Sequence, residues 1–78
     1  MISTLDKLDL EKEAIIDKIN GEDVLKRRFL DLGFIPGEVT KCVLVSLGND
    51  PKAYKINGNI IAIRNIDAKN IEVHYERN

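Results

Sequence analysis

The sequence predicts a small, mainly β domain of about five short strands, with one α-helix inserted after the first strand. Three observations predict this fold. Several short segments alternate apolar and polar residues, and Asn57-Gly58 separates two of them by the residues that a tight hairpin turn favours. The segment that ends at Gly33 instead repeats its apolar residues at helical spacing. A sheet of this size hides its edges most economically by curling into a small barrel.

The length indicates one domain that spans residues 1–78, and the charge limits the partners that it attracts. A chain of 78 residues is near the lower limit at which one hydrophobic core stabilises a fold without disulfides or metals. The formal net charge is -1 and the charges are interspersed, so bulk electrostatics does not attract nucleic acid or an anionic membrane. We therefore expect no nucleic-acid partner and no direct membrane insertion.

Cysteine usage and hydropathy indicate a cytoplasmic protein. The single Cys42 excludes an internal disulfide framework and leaves too few thiols for a structural zinc site. No apolar run is long enough to span a bilayer, and Asp6 and Lys7 stand where a signal peptide would need apolar residues. We expect a soluble chain in a reducing compartment.

The first element along the chain is a single turn, and the second is a strand. Leu5 and Leu8 have helical spacing, which is enough for one turn that covers one end of a core. Residues 12–19 are rich in β-branched and small side chains, which favours a strand, and their imperfect alternation predicts a bulge near Ile16. Asn20-Gly21 ends this strand.

An amphipathic helix follows, and the acidic Glu22 and Asp23 open it. Three apolar residues at helical spacing form its buried stripe: Leu25, Phe29 and Leu32. Gly33 is predicted to end it, because a residue without a side chain enters the left-handed conformation at no steric cost. Residues 34–35 then fold back onto the last turn, and Pro36-Gly37 turns the chain into the next strand.

Residues 39–46 form the clearest single strand of the sequence. Alternation places three residues on each face: Val39, Val43 and Val45 on one, and Thr40, Cys42 and Leu44 on the other. Both faces carry apolar groups, so we expect both to be covered.

A hairpin and a final strand complete the predicted sheet. Four apolar residues flank its Asn57-Gly58 turn: Tyr54, Ile56, Ile61 and Ile63. Residues 66–70 are too few for a stable helix and predict one tight turn. The last strand places three apolar residues on one face: Ile71, Val73 and Tyr75. No proline blocks its edge, so pairing with a second copy of the chain into a homo-oligomer is open there.

The residues that carry chemistry do not form a recognisable catalytic site, so we expect no enzymatic activity. Cys42, inside an apolar strand, is better explained as a buried packing residue than as a reactive thiol. His74 lies between Glu72 and Glu76 on the polar face of the last strand, where the three side chains could approach one metal ion. A solvated histidine is the simpler explanation, so we expect no cofactor, with weak transition-metal binding as the alternative.

Two groups of residues remain as candidate contact surfaces. The basic run 26–28 is explained either as a solvated face near the negative end of the helix dipole or as a patch that docks on an acidic partner. Phe34 and Ile35 either close the core under the helix or join Leu30 and Leu47 in an apolar docking patch.

Four segments carry a family resemblance, in order, over nearly the whole chain: residues 28–37, 47–51, 57–58 and 62–73. They resemble the signature of the FeoA family, small cytoplasmic proteins that accompany the bacterial ferrous iron permease FeoB. The closing motif of that family falls here on Gly58, Arg64, Ala68 and Ile71. The resemblance implies an SH3-like barrel, a fold also found at the C-terminus of iron- and manganese-responsive repressors.

The implied function is accessory: the protein would bind FeoB at its cytoplasmic side and modulate it, without catalysis. The candidate partner-binding residues are Lys26, Arg27, Arg28, Leu30, Phe34, Ile35, Leu47 and Asp50. A metal-sensing module, like the SH3-like domain of the repressors, is the first alternative. A small barrel that binds nucleic acid through the basic run is the second.

Overall fold

A computed structural model describes residues 2–75 and shows in them six β-strands, two α-helices and two 3₁₀ turns. The strands are β1 (Ile2–Thr4), β2 (Glu13–Ile19), β3 (Val39–Val45), β4 (Lys52–Ile56), β5 (Asn59–Ile63) and β6 (Ile71–His74). The helices are α1 (Asp23–Leu32) and the one-turn α2 (Asn65–Ala68), and the 3₁₀ turns are Leu5–Lys7 and Leu47–Asn49. The predicted mainly β class with an inserted helix is therefore confirmed.

The strands form one antiparallel sheet in the order β1-β6-β2-β3-β4-β5. Within residues 2–75 this sheet does not close, because β1 and β5 lie at its two ends and do not pair with each other. The predicted barrel is thus an open sheet of six strands rather than about five. The strand that sequence reasoning missed is β1, whose three residues are too few to show alternation. Counted with β1, the helix follows the second strand.

The last strand lies inside the sheet, which contradicts the prediction of a free edge there. β6 pairs with β1 on one side and with β2 on the other. The backbone N–H and C=O groups on both sides of β6 are therefore occupied by hydrogen bonds to neighbouring strands, and a second copy of the chain cannot pair with it. In the described part of the chain, the free edges belong to β1 and β5.

Two bulges decide which side chains face the core. The register between β2 and β6 shifts between Ile16 and Lys18, which confirms the predicted bulge. A second shift, between Cys42 and Leu44, interrupts the pairing of β3 with β4. Because one extra residue reverses the alternation, Leu44 is 59% exposed and does not share the inner face of Cys42, contrary to prediction.

The core lies between the sheet, α1, α2 and the N-terminal turn. Its buried members come from every strand except β1: Leu5, Leu8, Ala14, Ile16, Ile19, Phe29, Phe34, Cys42, Tyr54, Ile56, Ile63, Ala68, Ile71 and Val73. The burial of both leucines of the N-terminal turn confirms that this turn covers one end of the core.

Two polar side chains of β4 attach the N-terminal turn to the sheet. Lys52 is buried, and its Nζ donates hydrogen bonds to the carbonyl oxygens of Asp6, at 2.7 Å, and Leu8, at 3.2 Å. The Tyr54 hydroxyl donates to the carbonyl oxygen of Leu5 at 3.2 Å. The lysine satisfies two carbonyls that the short turn leaves free, and the tyrosine adds a second donor to the Leu5 carbonyl, which also accepts from the Leu8 N–H; together these bonds stabilise the docking of the turn.

Neither helix within residues 2–75 has the length and apolar character needed to cross a membrane.

Candidate partner-binding surface

The corner between α1 and the following loop determines which residues of the predicted apolar patch stay exposed. Gly33 has φ 106° and ψ 4°, so the helix ends in the predicted left-handed conformation. The N–H groups of Gly33 and Phe34 donate to the carbonyls of Leu30 and Phe29, both at 3.0 Å, which is the Schellman pattern. The rings of Phe29 and Phe34 then meet edge to face, with centroids 5.9 Å apart.

Phe34 therefore belongs to the core and not to the surface. Its side chain is fully buried, so the interpretation that it closes the core is confirmed and its place among the partner-binding candidates was wrong. The other apolar candidates are accessible: Leu30 is 42% exposed, Ile35 is 46% exposed and Leu47 is completely exposed. Leu47 is the most accessible of these, on a loop that joins β3 to β4.

The basic run occupies the middle of α1. The last turn of this helix contains no basic residue, so the helix dipole does not explain the run, although the exposure of its two arginines agrees with a solvated face. Arg27 and Arg28 are exposed, and neither forms an ion pair with any residue between 2 and 75. Two charged guanidinium groups thus face solvent without a carboxylate partner in the described part of the chain.

A groove of about 410 Å³ runs between α1 and β5. Phe29 and Ile63, both buried, contribute apolar surface to it. Arg28 of α1 and Arg64, which follows β5, supply two cations to its lining, and Asp67 of α2 supplies one carboxylate. Arg64 is exposed and, like Arg28, has no ionic partner among the described residues. The groove therefore combines an apolar floor with a net positive lining.

The loop between β3 and β4 is held by α2. The N–H of Asn65 donates to Asp50 Oδ1 at 2.9 Å, and Asn65 Nδ2 donates to the carbonyl oxygen of Asn49 at 2.8 Å. The Asp50 carboxylate thus satisfies a free N–H at the start of α2. This gives Asp50 a structural role, whether or not it also touches a partner, and it leaves Leu47 at the tip of an anchored loop.

The two predicted metal ligands that the structure describes, Glu72 and His74, have different polar partners. His74 Nδ1 lies 2.5 Å from Asp17 Oδ1 on β2, whereas Glu72 accepts a hydrogen bond from Asn20 Nδ2 at 2.7 Å and pairs with Lys18 at 3.7 Å. Glu76 lies outside the described residues. Between residues 2 and 75, no three His, Cys, Asp or Glu side chains lie together as metal ligands would.

Cys42 has the buried position that the sequence predicts. Its side chain is fully buried, and this desolvation is the main cause that raises the pKa of the thiol above its ordinary value of 9.0. A raised pKa keeps the group in its less reactive thiol form. Cys42 and His74 are the single cysteine and histidine of the chain, and His74 pairs with Asp17 at the surface, so nucleophile and base do not meet.

Two surface features and one buried side chain were not predicted. Arg64 completes the groove, and its presence in the family motif was the one sequence signal for it. The exposed edge of β5 was missed because alternation does not reveal where a strand lies in its sheet. Lys52 was missed because a lysine in a strand normally faces solvent.

The fold and these surfaces define a small β-sheet domain with an anchored apolar loop tip and a cationic groove. The FeoA domain model matches residues 3–75. The chain belongs to the FeoA family.

Two curated relatives agree with this assignment. A candidate Fe(2+) transport protein A of Campylobacter jejuni is 34% identical over 71 residues, which are 91% of this chain and 96% of that protein. A fusion of Fe(2+) transport protein A with the Fe(2+) transporter FeoB, from Porphyromonas gingivalis, is 32% identical over 69 residues, or 88% of this chain. The chain spans 8% of the length of that fusion protein.

Solved structures agree on the fold. FeoA of Stenotrophomonas maltophilia, described as an SH3 domain protein complexed with zinc, superposes with a TM-score of 0.80 at 28% identity, covering 90% of this chain and 87% of that chain. This likeness confirms the SH3-like class of the open sheet. IdeR of T. acidophilum superposes with a TM-score of 0.83 over 96% of this chain and 34% of its own, but at 24% identity it shows the fold alone.

Proposed function

We propose that the protein is a non-catalytic accessory factor of ferrous iron uptake, which binds the cytoplasmic part of the FeoB permease and modulates it. The observation that carries this proposal is the fused relative. A domain similar to 88% of this chain is joined to a FeoB transporter in one polypeptide. A covalent link keeps two domains at a high effective concentration, so a separate chain needs a surface that supplies the same association.

The exposed cations supply one part of such a surface. Arg27, Arg28 and Arg64 have no ion pair within residues 2–75, so a partner's carboxylates do not have to displace an existing one. Charges of this kind raise the association rate and select the partner more than they raise affinity. We therefore assign the acidic-partner interpretation to the basic run.

Leu47 supplies an apolar contact. It is fully exposed, while the neighbouring Asn49 and Asp50 are held by Asn65. A side chain on an anchored loop loses little conformational entropy when it enters a partner's pocket, and such apolar anchors commonly dominate binding energy.

Binding to the permease is tested by calorimetric titration with the FeoB cytoplasmic domains and with full-length FeoB of the same organism. We expect saturable binding that weakens roughly tenfold in the double variant Arg27→Glu/Arg28→Glu, because two attractive contacts become repulsive. Lys7→Glu is the matched control, since Lys7 is also exposed and without an ion pair among the described residues. Wild-type protein that fails to bind even the full-length permease would contradict the proposal.

The loop contact is tested separately with Leu47→Ser. Leu44→Ser is its control, because Leu44 is also an exposed leucine but lies in β3, outside the anchored loop. We expect several-fold weaker binding for Leu47→Ser alone, since an exposed apolar side chain contributes to affinity only where it becomes buried. Equal effects of both changes would remove Leu47 from the interface.

Transition-metal binding is a second candidate function, favoured by the relative that is described as complexed with zinc. His74 and Asp17 are the side chains that lie together here, and two ligands give weak binding at most. We expect a titration with zinc, manganese or ferrous ions to show binding that His74→Ala abolishes. Glu72→Gln should leave it intact, because Glu72 already engages Lys18 and Asn20. No heat change with any of the three ions would exclude this function.

A further inference from the structure

We infer that the free edge of β5 is the docking site for an extended, acidic segment of the partner, which adds to the sheet as a further strand. The inference rests on the proposed function for the identity of the partner, but not for the chemistry of the site. Three observations support it: the direction of the backbone groups along β5, the lack of edge protection, and the cationic groove beside the strand.

The turn between β4 and β5 determines which backbone groups point outward. Asn57-Gly58 is a two-residue turn with positive φ at both positions, 49° and 79°. Such a turn is closed by a hydrogen-bonded pair, here Ile56 and Asn59, and hydrogen-bonded pairs then alternate along the ladder. The register continues without a shift to the pair of Lys52 and Ile63.

It follows that Ile60 and Ala62 turn their N–H and C=O groups away from β4. Ile61 and Ile63, by contrast, exchange their hydrogen bonds with that strand. Neither Ile60 nor Ala62 takes part in a turn or loop hydrogen bond among the described residues. β5 therefore presents two donors and two acceptors in the spacing that an added strand requires.

The edge of β5 lacks the usual protection against strand addition. Proteins block exposed edges with charged residues, proline or a bulge, and the residues of β5 include no charge and no proline. Its pairing with β4 shows no bulge. The other free edge in the described part of the chain, β1, has three residues against five in β5, so it offers fewer hydrogen bonds.

The groove between α1 and β5 indicates the chemistry of the occupant. It lies beside residues 61–63, with Phe29 in its floor and with Arg28 and Arg64 in its lining. In an added strand, every second side chain points to the same face, so an apolar side chain can meet the floor while carboxylates two residues before and after it reach the two arginines. The two arginines outnumber Asp67, the single acid of the lining, so the net charge of the groove favours an acidic segment over a basic one.

Charge also argues against a second copy of the chain as the occupant. Pairing β5 with β5 of another copy would bring the Arg28 and Arg64 groups of both copies along one seam without added carboxylates. Like charges across paired strands are destabilising. An acidic segment is therefore favoured over self-association.

The site is tested by NMR titration of the ¹⁵N-labelled full chain with a short synthetic peptide, Thr-Glu-Thr-Val-Thr-Glu-Thr, which as a strand places the valine and both glutamates on one face. We expect shift changes centred on the Ile60 and Ala62 amides and slower solvent exchange of both. The same peptide with lysine in place of both glutamates should bind at least about threefold more weakly. Shifts centred on β1, no shifts at millimolar peptide, or concentration-dependent self-association through β5 would each overturn the inference.

Two variants isolate the backbone and the charges. Ala62→Pro removes an N–H that β4 does not use, so the ladder should survive while peptide affinity falls at least about fivefold. Ala62→Ser is its control, because it keeps the N–H at the same position. Arg64→Glu should weaken the acidic peptide and strengthen the lysine peptide, whereas Lys7→Glu should change neither. The charge variants decide the question if Ala62→Pro does not fold.

The same variants separate this inference from the proposed function. If wild-type protein binds FeoB and Ala62→Pro binds it equally well, the β5 site is wrong and the accessory function stands. If wild-type protein does not bind FeoB, the accessory function fails, and the peptide titration alone decides whether β5 accepts an acidic strand.

Discussion

Replacing Gly33 with alanine tests the corner on which the groove and the buried position of Phe34 depend. An L-residue at φ 106° carries strain of about 1–2 kcal/mol. A Cβ built at Gly33 would also lie 3.0 Å from Asn57 Nδ2 and 3.7 Å from Ile56 Cγ1. The Asn57 amide is the far end of a side chain and can move, which adds up to about 1 kcal/mol. We expect Gly33→Ala to lower the free energy of unfolding by about 1.5–2.5 kcal/mol.

Gly37→Ala is the matched control, because Gly37 has a similar φ of 95° but no atom within 4 Å of the added Cβ. Gly37→Ala should show the backbone strain alone and therefore a smaller loss of unfolding free energy than Gly33→Ala. Asn57→Gly keeps the positive φ of the turn without strain and removes the side chain that the Cβ of residue 33 would contact. The double variant Gly33→Ala/Asn57→Gly should therefore lose less unfolding free energy, relative to Asn57→Gly alone, than Gly33→Ala loses relative to wild type.

Urea denaturation followed by circular dichroism measures these differences. With a denaturant slope of about 1 kcal/mol/M for a domain of this size, the midpoint for Gly33→Ala should fall by about 1.5–2.5 M. A loss below about 0.5 kcal/mol, or a loss no larger than that of Gly37→Ala, would refute the argued geometry of the corner.

Three further predictions concern the core and the loop. Tyr54→Phe should lower the free energy of unfolding in urea by about 0.5–1.5 kcal/mol, because the carbonyl of Leu5 keeps its bond from the Leu8 N–H but loses the one from the Tyr54 hydroxyl, and a cost near zero would show that this hydrogen bond adds no stability. Burial raises the pKa values of Cys42 and Tyr54, so folding favours their neutral forms, and stability should fall as pH rises above their ordinary values of 9.0 and 10.0. Urea titrations between pH 8 and about pH 10.5 should show a smaller fall in Cys42→Ala than in wild type, and equal falls would contradict the assignment. Asp50→Ala should lower the free energy of unfolding by about 1 kcal/mol, because it removes the acceptor for the Asn65 N–H. Asp50→Asn keeps an acceptor oxygen and should lose much less. Equal unfolding free energies of the two variants in urea would show that this hydrogen bond does not stabilise the start of α2.

The predictions that the structure confirms concern local chemistry. Helical spacing and a glycine identify α1 and its end, because a left-handed cap depends on the one residue that enters it without strain. The hairpin follows from Asn57-Gly58, since two adjacent positive φ angles leave few other conformations. The family resemblance added two predictions that local chemistry does not give: the SH3-like class of the fold, and Arg64 as part of a family motif.

The candidate contact residues were only partly predictable. Arg27, Arg28 and Leu47 are exposed as a docking surface requires, because charge and loop position are visible in the sequence. Phe34 was misplaced, since one residue after a helix cap can turn either way and its contact with Phe29 selects the core.

The sequence by itself determined the helix, its cap, the hairpin and the alternation that builds the core, since each depends on residues within one turn or two strands of each other. Only the tertiary structure decided that β6 lies inside the sheet, that β5 has a free edge, and that Leu44 faces outward. These features depend on hydrogen-bond ladders between residues far apart in the chain, and a shift of one residue in such a ladder reverses which side chains are buried. The groove has the same origin, because Arg28 and Arg64 meet only when the sheet is assembled.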